Sequence, residues 1–313
     1  GSRTNSDIYV GVVGPVRVGK STFIRKFMEL VVLDNITDES EKRRTIDELP
    51  QAGLGKQIMT CEPKFVPNNA ISVKVDEELF VNVRLVDCVG YVFDDALGYK
   101  EGESVRMVKT PWFEDAIAFD EAAKIGTNKV INDHSTIGIL VTTDGSIVDI
   151  DRESYLKAEE EVINELKSID KPFIVVVNSK EPTSEKAQQV KQEIEEKYNV
   201  TALVMSVENM SQEDATNILQ TALYEFPVTD VEVISPSWIA ILQEDNPLKV
   251  SFKESVNNAI SECKKVKDVK KMASLIEENE NVGSANLTNV DTATGVVTIT
   301  LEAKDGLYEQ VIN

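Results

Sequence analysis

The chain has 313 residues, of which 42% are hydrophobic and 28% charged, a composition typical of a globular protein large enough for two domains. Its net charge of −21 argues against binding nucleic acid through the phosphate backbone and against unaided adhesion to an anionic membrane. Three widely spaced cysteines without a C-x-x-C pair indicate free thiols in a reducing compartment. No apolar run reaches transmembrane length, and Gly1-Ser2 is typical of a cloning remnant.

The first motif lies between a predicted strand, residues 8–13, and a predicted helix, residues 22–32. It follows the pattern G-x-x-x-x-G-K-[ST], in which glycines allow successive backbone N–H groups to surround phosphate oxygens. The helix directs its positive dipole end at the same anion. We expect the lysine to contact the outer phosphates and the serine to bind Mg²⁺. The predicted phosphate-binding residues are Gly14, Pro15, Val16, Arg17, Val18, Gly19, Lys20, Ser21 and Thr22.

A second motif follows a predicted strand pair, residues 71–75 and 80–87. The second strand ends at Asp87, and Gly90 comes three residues later. P-loop nucleotidases place a carboxylate near Mg²⁺ and a backbone N–H near the γ-phosphate in this way. A plain turn is the alternative interpretation. Asp87 is predicted as a metal-associated residue and Gly90 as a nucleotide contact.

Strands and helices then alternate, which predicts a mostly parallel sheet with helices on both faces. The strands are predicted at residues 137–141, 172–178 and 202–206, and the helices at 151–169, 184–198 and 211–224. The run Glu159-Glu160-Glu161 is interpreted as a solvated helix face. The irregular stretch 91–120 is predicted to be functional or disordered, and His134 to have a capping or core role. Trp112-Phe113 is interpreted as a packing anchor.

The composition changes at Pro227, which predicts an α/β P-loop domain over residues 1–227 and a smaller α+β domain over 228–313. In the second domain we predict a strand at 228–235, a charged helical stretch at 248–278 and a strand at 289–301. The segment Gly283-Ser284-Ala285 is interpreted as a break between elements. This domain carries no chemical motif.

The choice of nucleobase depends on the stretch after the strand 172–178. GTP-binding P-loop proteins have N-K-x-D there, whereas this chain has Asn178-Ser179-Lys180-Glu181. Asn178 matches, but a serine replaces the stacking lysine and the longer Glu181 replaces the guanine-binding aspartate. We therefore favour adenine, although these residues do not exclude guanine. Asn178 and Lys180 are predicted nucleotide contacts.

Catalysis requires a group that positions the attacking water. Tyr91 stands where signalling GTPases have a glutamine, so another group must act. Thr60 is predicted to bind Mg²⁺ and the attacking water. Arg17 is expected either to stabilise phosphate charge, in cis or across a subunit contact, or to lie on the surface. We expect slow turnover.

The chain resembles the stage IV sporulation protein A family, the ATPases that build the basement layer of the bacterial spore coat. The resemblance covers nearly the whole sequence. It rests on Gly14–Ser21 together with "FMELVVLDNI" (27–36), "DELPQ" (47–51), "EPKFVPN" (62–68), "RLVDCVGY" (84–91), "HSTIG" (134–138), "VTTDGSI" (141–147) and "ALYEFPV" (222–228).

The resemblance implies a fold of the translation-factor GTPase class that hydrolyses ATP with Mg²⁺. By position, Lys20 is the Walker lysine, Asp87 is the Mg²⁺-associated acid, and Thr60 is the first of two sensor threonines. Cys61 replaces the second threonine, which puts any role of a hydroxyl there in doubt. The family also implies a C-terminal region beyond Asn313.

The resemblance further implies that hydrolysis drives polymerisation into a static shell on the mother-cell face of the outer forespore membrane. The implied partners are other copies of the chain, a small amphipathic membrane-anchoring peptide and other spore-coat proteins. Membrane contact would be indirect or made through the C-terminal region. Two alternatives remain: a GTPase-like switch read by a partner, and a structural protein that retains nucleotide without hydrolysis.

Overall fold

The computed structural model describes residues 6–32, 64–87 and 135–312. It also describes the short pieces 39–40, 43–44, 100–101, 104–105, 107–108, 114–118, 121, 125, 128–129 and 132–133. The chain forms two compact units. The larger unit comprises Ile8–Val73 and Val83–Ala222, and the smaller unit comprises Gly1–Asp7, Lys74–Asn82 and Leu223–Asn313.

One sheet has six strands, which lie side by side in the order β10-β9-β8-β1-β3-β2, and helices accompany this sheet. Strands β10, β9, β8 and β1 pair in parallel. The strands are β1 (Ser6–Val13), β2 (Lys64–Asp76), β3 (Leu79–Asp87), β8 (Ile137–Thr143), β9 (Phe173–Asn178) and β10 (Ala202–Met205). The helices are α1 (Lys20–Phe27), α2 (Leu156–Ser168), α3 (Glu185–Tyr198) and α4 (Gln212–Tyr224). Two short strand pairs, β4 (Lys100–Glu101) with β5 (Ser104–Val105) and β6 (Met107–Val108) with β7 (Ile117–Ala118), lie between β3 and β8.

Both faces of this sheet are covered. Every residue of β8 is buried, and successive side chains of a strand point to opposite faces. On one face Leu140 and Val175 belong to a core cluster with Val162 of α2 and Ile194 of α3. This arrangement confirms the predicted α/β class with a mostly parallel sheet. A sheet of this kind carries its ligand site at the carboxyl ends of its strands.

The predicted strand pair is also present. Strands β2 and β3 are joined by the turn Glu77–Glu78, so they form an antiparallel hairpin. Ile71, Val73 and Val75 are buried while the intervening side chains are exposed, which is the alternation of a strand with one buried face. Helix α1 continues as the π-helical segment Met28–Val32.

The smaller unit contains a three-stranded sheet with the order β11-β13-β12. Strands β11 and β13 pair in parallel, and β12 and β13 pair antiparallel. The elements are β11 (Asp230–Ile234), α5 (Ser237–Ala240), α6 (Pro247–Ala259), α7 (Val266–Glu277), β12 (Val282–Asp291), β13 (Val296–Ala303) and α8 (Leu307–Ile312). Buried residues of α7, such as Val269 and Ile276, and of the sheet, such as Leu287 and Ile299, supply its core.

Three predictions for the smaller unit were wrong. The strand predicted at 289–301 is interrupted, because β12 ends at Asp291, a turn covers 292–295 and β13 begins at Val296. The helical stretch 248–278 is two helices, because α6 ends at Ala259 and α7 begins at Val266. Gly283 is not a break but lies inside β12, where the pairing with β13 shifts register. A Cβ at Gly283 would come within 2.8 Å of the Ala303 carbonyl oxygen, so the glycine permits close approach of the strands.

Within the described residues, no helix is long and apolar enough to cross a membrane. The predictions for residues 91–99, Trp112-Phe113 and His134 lie outside the described residues.

Candidate nucleotide site

The loop between β1 and α1 has the backbone shape that its glycines predicted. Gly14 has a φ of 154° and Gly19 a φ of 93°, and both lie against other parts of the fold. A Cβ at Gly14 would come within 2.2 Å of the Val141 carbonyl oxygen, and one at Gly19 within 2.4 Å of Asn178 Nδ2. A side chain at Gly14 would displace the loop, and one at Gly19 would displace the Asn178 side chain that is bonded to the loop. Glycine is therefore required at both positions for two reasons. Neighbouring atoms leave no room for a Cβ, and the backbone has a positive φ that other residues disfavour.

Two buried side chains, those of Asn178 and Tyr155, form hydrogen bonds to the backbone of the loop. Asn178, the last residue of β9, donates through Nδ2 to the Val18 carbonyl at 3.0 Å. Its Oδ1 accepts the Val207 backbone N–H at 3.1 Å. The fully buried Tyr155 donates its hydroxyl to the Arg17 carbonyl at 3.2 Å. The loop is thus fixed to β9, to the segment after β10 and to the turn before α2.

The backbone of the loop lies between buried side chains and the start of α1. Val16 and Val18 are buried, while Lys20, Ser21 and Thr22 are partly exposed in the first turn of α1. Gly19 is the N-cap, and no side chain caps the helix start. Helix N-termini leave N–H groups that favour an anion.

Arg17 is an unusual cation within this loop. Its φ of 68° is left-handed, a conformation that costs energy for a residue other than glycine. Its Nε is buried and has no hydrogen-bond partner among the described residues. Burial lowers the pKa of the Arg17 guanidinium from its ordinary value. A partly desolvated cation beside a phosphate loop would be stabilised by an anion bound there.

The turn after β9 is tied down by a buried carboxylate that the sequence analysis had not selected. Asp144, 2% exposed, accepts the Ser179 hydroxyl at 2.6 Å and the Ser146 hydroxyl at 2.5 Å. The Ser146 oxygen accepts the Lys180 backbone N–H at 3.0 Å, and the Ser179 oxygen accepts the Glu181 N–H at 3.1 Å. Two backbone donors of this turn are therefore satisfied within the protein.

A buried ion pair supports the neighbouring strand end. Glu159 accepts two hydrogen bonds from the Arg152 guanidinium, one of them at 2.8 Å from Nη2, and one at 2.5 Å from the Thr142 hydroxyl. Arg152 also donates to the Thr143 carbonyl at 3.2 Å. Glu159 is only 1% exposed, so its interpretation as part of a solvated face was wrong. The first turn of the predicted helix 151–169 is a 3₁₀ turn, Arg152–Tyr155, which brings Arg152 to this position.

Comparison with known protein families shows which family the chain belongs to. Residues 1–227 match the family model described as "Stage IV sporulation protein A, ATPase domain", and residues 228–313 match "Stage IV sporulation protein A, middle domain". The chain belongs to the stage IV sporulation protein A family.

Three relatives named stage IV sporulation protein A show the degree of similarity. The identity is 51% to that of Bacillus subtilis (strain 168), 49% to that of Bacillus anthracis and 46% to that of Clostridioides difficile (strain 630). Each match covers 310 residues, or 99% of this chain and 63% of the relative. The chain thus spans less than two thirds of the length of these family members.

Most of the predicted site residues lie close together in the fold. Residues 14–22 and Asn178 lie together at the carboxyl ends of β1 and β9, and Lys180 follows two residues later. Asp87 ends β3, the neighbour of β1, but its side chain lies outside the described residues, as do Thr60 and Gly90.

Of the three predicted Mg²⁺ ligands, the structure therefore describes only the side chain of Ser21. Its position in the first turn of α1, after the phosphate loop, fits a hydroxyl ligand of an ion that also takes phosphate oxygens. Among the described residues no group of three or more His, Cys, Asp or Glu side chains is placed to hold a metal.

Sequence reasoning missed Asp144, Ser146 and Tyr155 as supports of the site. The signal for the first two was their position, because Asp144-Gly145-Ser146 directly follows a buried strand at the ligand-bearing edge of the sheet. Tyr155 gave no signal, since its contact with Arg17 joins residues 138 positions apart.

Proposed function

We propose that this chain binds Mg²⁺-ATP and hydrolyses it slowly. The observation that carries the proposal is the loop 14–21, whose two glycines leave no room for a side chain and whose backbone leads into the uncapped start of α1. This geometry suits a phosphate group. The family membership supports it, since the matching model is described as an ATPase domain.

Adenine is the proposed base. Ser179 occupies the position where GTP-binding proteins have a lysine that stacks on guanine, and it is fully buried with its hydroxyl on Asp144. A side chain in that position does not cover a base. Glu181 is longer than the aspartate that pairs with guanine, which supports the same choice.

Each catalytic residue has a proposed task. Lys20 neutralises charge on the outer phosphates, and Ser21, with Thr60 and Asp87, holds Mg²⁺ directly or through water. Arg17 stabilises charge that develops on the transferring phosphate, a role favoured by its partly desolvated position. Bound Mg²⁺ would supply Lewis-acid polarisation of the phosphoryl group.

We further propose that hydrolysis drives assembly of the protein into the basement layer of the spore coat. The shell would lie on the mother-cell face of the outer forespore membrane. Its partners would be other copies, an amphipathic anchoring peptide and other spore-coat proteins. The chain's net charge of −21 is consistent with a need for such an anchor at an anionic surface. These roles concern the whole protein, of which this chain covers part.

The activity is tested by titrating labelled ATP and GTP against the chain and by measuring phosphate release with Mg²⁺. We expect ATP to bind more tightly than GTP and to be hydrolysed. Lys20→Ala should weaken ATP binding. Asp87→Ala should leave binding largely intact and reduce Mg²⁺-dependent hydrolysis, and wild-type turnover in that variant would refute the role of Asp87.

The GTPase-like strand order supports a second candidate, a switch whose nucleotide state a partner reads. The state of the protein after hydrolysis distinguishes the switch from the assembly ATPase. A switch returns to its starting state on nucleotide exchange, whereas an assembly ATPase remains in a sedimentable polymer. A protein that holds nucleotide only for folding would release no phosphate.

A further inference from the structure

The turn that follows β9, residues 179–181, is close to the phosphate loop and rigidly held. Asn178 precedes the turn and is bonded at the same time to Val18 of the loop. A nucleoside with its phosphates in the loop therefore extends along the carboxyl ends of the strands toward this turn. The hydrogen-bonding groups that the turn presents will decide which base is accepted.

The turn has two backbone N–H groups that could donate to a base, those of Lys180 and Glu181. Here the Lys180 N–H is bonded to the Ser146 hydroxyl and the Glu181 N–H to the Ser179 hydroxyl. Both hydroxyls can accept these bonds because each donates its own proton to Asp144. The Ser146 backbone N–H, at 3.0 Å, also points to the same carboxylate. Asp144 thus fixes the direction of both hydroxyls.

We infer that Asp144, acting through Ser146 and Ser179, is the positioning residue that selects a 6-amino purine over a 6-oxo purine. This inference rests on the proposed nucleotide-binding function and names the source of its base preference.

The chemistry follows from the edges of the bases. A 6-oxo purine, guanine or hypoxanthine, presents an acceptor at position 6 and needs a donor from the protein. A 6-amino purine presents a donor there and needs an acceptor. Once the backbone N–H groups of Lys180 and Glu181 are satisfied internally, a 6-oxo group meets no backbone donor from this turn, and the cost is that of an unpaired polar group.

The hydrogen bonds of Asp144 with Ser146 and Ser179 form a buried network in which both carboxylate oxygens are paired. Asp144 is 2% exposed and Ser179 fully buried, so neither side chain is there for solubility. A buried carboxylate is costly unless its hydrogen bonds are satisfied, and all three of these bonds come from the two serines whose hydroxyls hold the turn.

The test compares binding of ATP, ITP and GTP to the wild-type chain and to Ser146→Ala. ITP differs from ATP at position 6 and lacks the 2-amino group of GTP, so it isolates the 6-position effect. We expect Ser146→Ala to release the Lys180 N–H and to tighten ITP binding about 3- to 10-fold relative to ATP, the gain typical of one hydrogen bond. GTP should follow ITP.

Three further variants control the experiment. Ser146→Thr keeps the hydroxyl and should restore the wild-type ratio of ATP to ITP affinity. Ser168→Ala removes an exposed hydroxyl that bonds the Glu165 carbonyl, at the other end of the sheet, and should leave the ratio unchanged. Asp144→Asn should lower the ratio at least as much as Ser146→Ala, and a melting temperature establishes that it is folded. If it does not fold, the two Ser146 variants decide alone.

The outcomes separate the inference from the proposed function. If the wild-type chain binds none of the three nucleotides, the proposed function fails and the inference fails with it. If it binds ATP but Ser146→Ala changes ATP and ITP affinity equally, or neither, the proposed function stands and the inference is overturned.

Discussion

The buried ion pair between Arg152 and Glu159 gives the sharpest stability prediction. Glu159 stands in a run of three glutamates, and its neighbour Glu160 is exposed, so Glu159→Gln and Glu160→Gln form a matched pair. Both changes remove one negative charge from one helix and alter no volume. Only the first leaves a buried guanidinium without its counter-charge.

The expected loss of stability in Glu159→Gln follows from the hydrogen bonds that the Glu159 carboxylate accepts. Arg152 is 10% exposed and donates to Glu159 from both terminal nitrogens, and Thr142 donates as well. A glutamine has one acceptor oxygen in place of two, and its amide group would oppose an arginine donor. Breaking a buried pair in this way costs about 3–5 kcal/mol. For a unit of this size the melting temperature should fall by roughly 6–20 °C.

Urea unfolding followed by circular dichroism measures the effect for both variants. We expect Glu160→Gln to lie within about 0.5 kcal/mol of the wild type. The double variant Arg152→Met, Glu159→Leu should recover much of the loss, because apolar replacement of a buried pair is often neutral or stabilising. Equal stabilities for Glu159→Gln and Glu160→Gln would refute the reasoning.

The remaining predictions concern the loop and the β2–β3 turn. Gly14→Ala should abolish measurable binding of a fluorescent ATP analogue, because its Cβ would lie 2.2 Å from a backbone oxygen; unchanged affinity would contradict this. Asn178→Ala should lower stability by about 2–6 kcal/mol in urea unfolding, since it leaves two buried backbone groups unpaired, and a loss below 0.5 kcal/mol would argue against it. Burial alone raises the pKa of Asp76, but hydrogen bonds from Lys270, the Glu77 backbone and Tyr224 bring it below its ordinary value. This stabilisation is present above the unfolded pKa and lost as pH falls through the folded pKa. Asp76→Asn should therefore destabilise the protein clearly in urea unfolding at pH 7, and the loss should shrink as the pH is lowered below the ordinary pKa of an aspartate. A loss that does not change with pH would be inconsistent with an ionised Asp76 in the fold.

The contacts of Asp76 also explain the basic run that begins at Lys264. Lys270 binds Asp76 at 2.8 Å, and Lys265 and Lys267 bind Glu225 at 2.6 and 3.3 Å. Several of these lysines form ion pairs within the smaller unit, because the fold places acidic residues from distant positions in the chain beside them.

Elements whose signal lies in neighbouring residues could be predicted from the amino-acid sequence alone. The phosphate loop was predictable because its glycines and lysine are adjacent in the chain, and the buried strands β8 and β9 because each is a continuous apolar run. The strand pair β2–β3 followed from alternation. These signals depend on backbone conformation and on the side of an element that is buried, which neighbouring residues specify.

Which polar residues contact one another became apparent only in the three-dimensional fold. Glu159 and Glu160 are identical residues side by side, yet only Glu159 pairs with Arg152, because the 3₁₀ turn before α2 returns that arginine to the strand end. Asp144 and Ser179 are 35 positions apart and meet because β8 and β9 pair in parallel and end together. Gly283 lies within a strand because its neighbours Val282 and Ser284 both pair with β13. In each case the stabilising contact joins residues that are separated along the chain, so the residues next to each one in the sequence do not identify its partner.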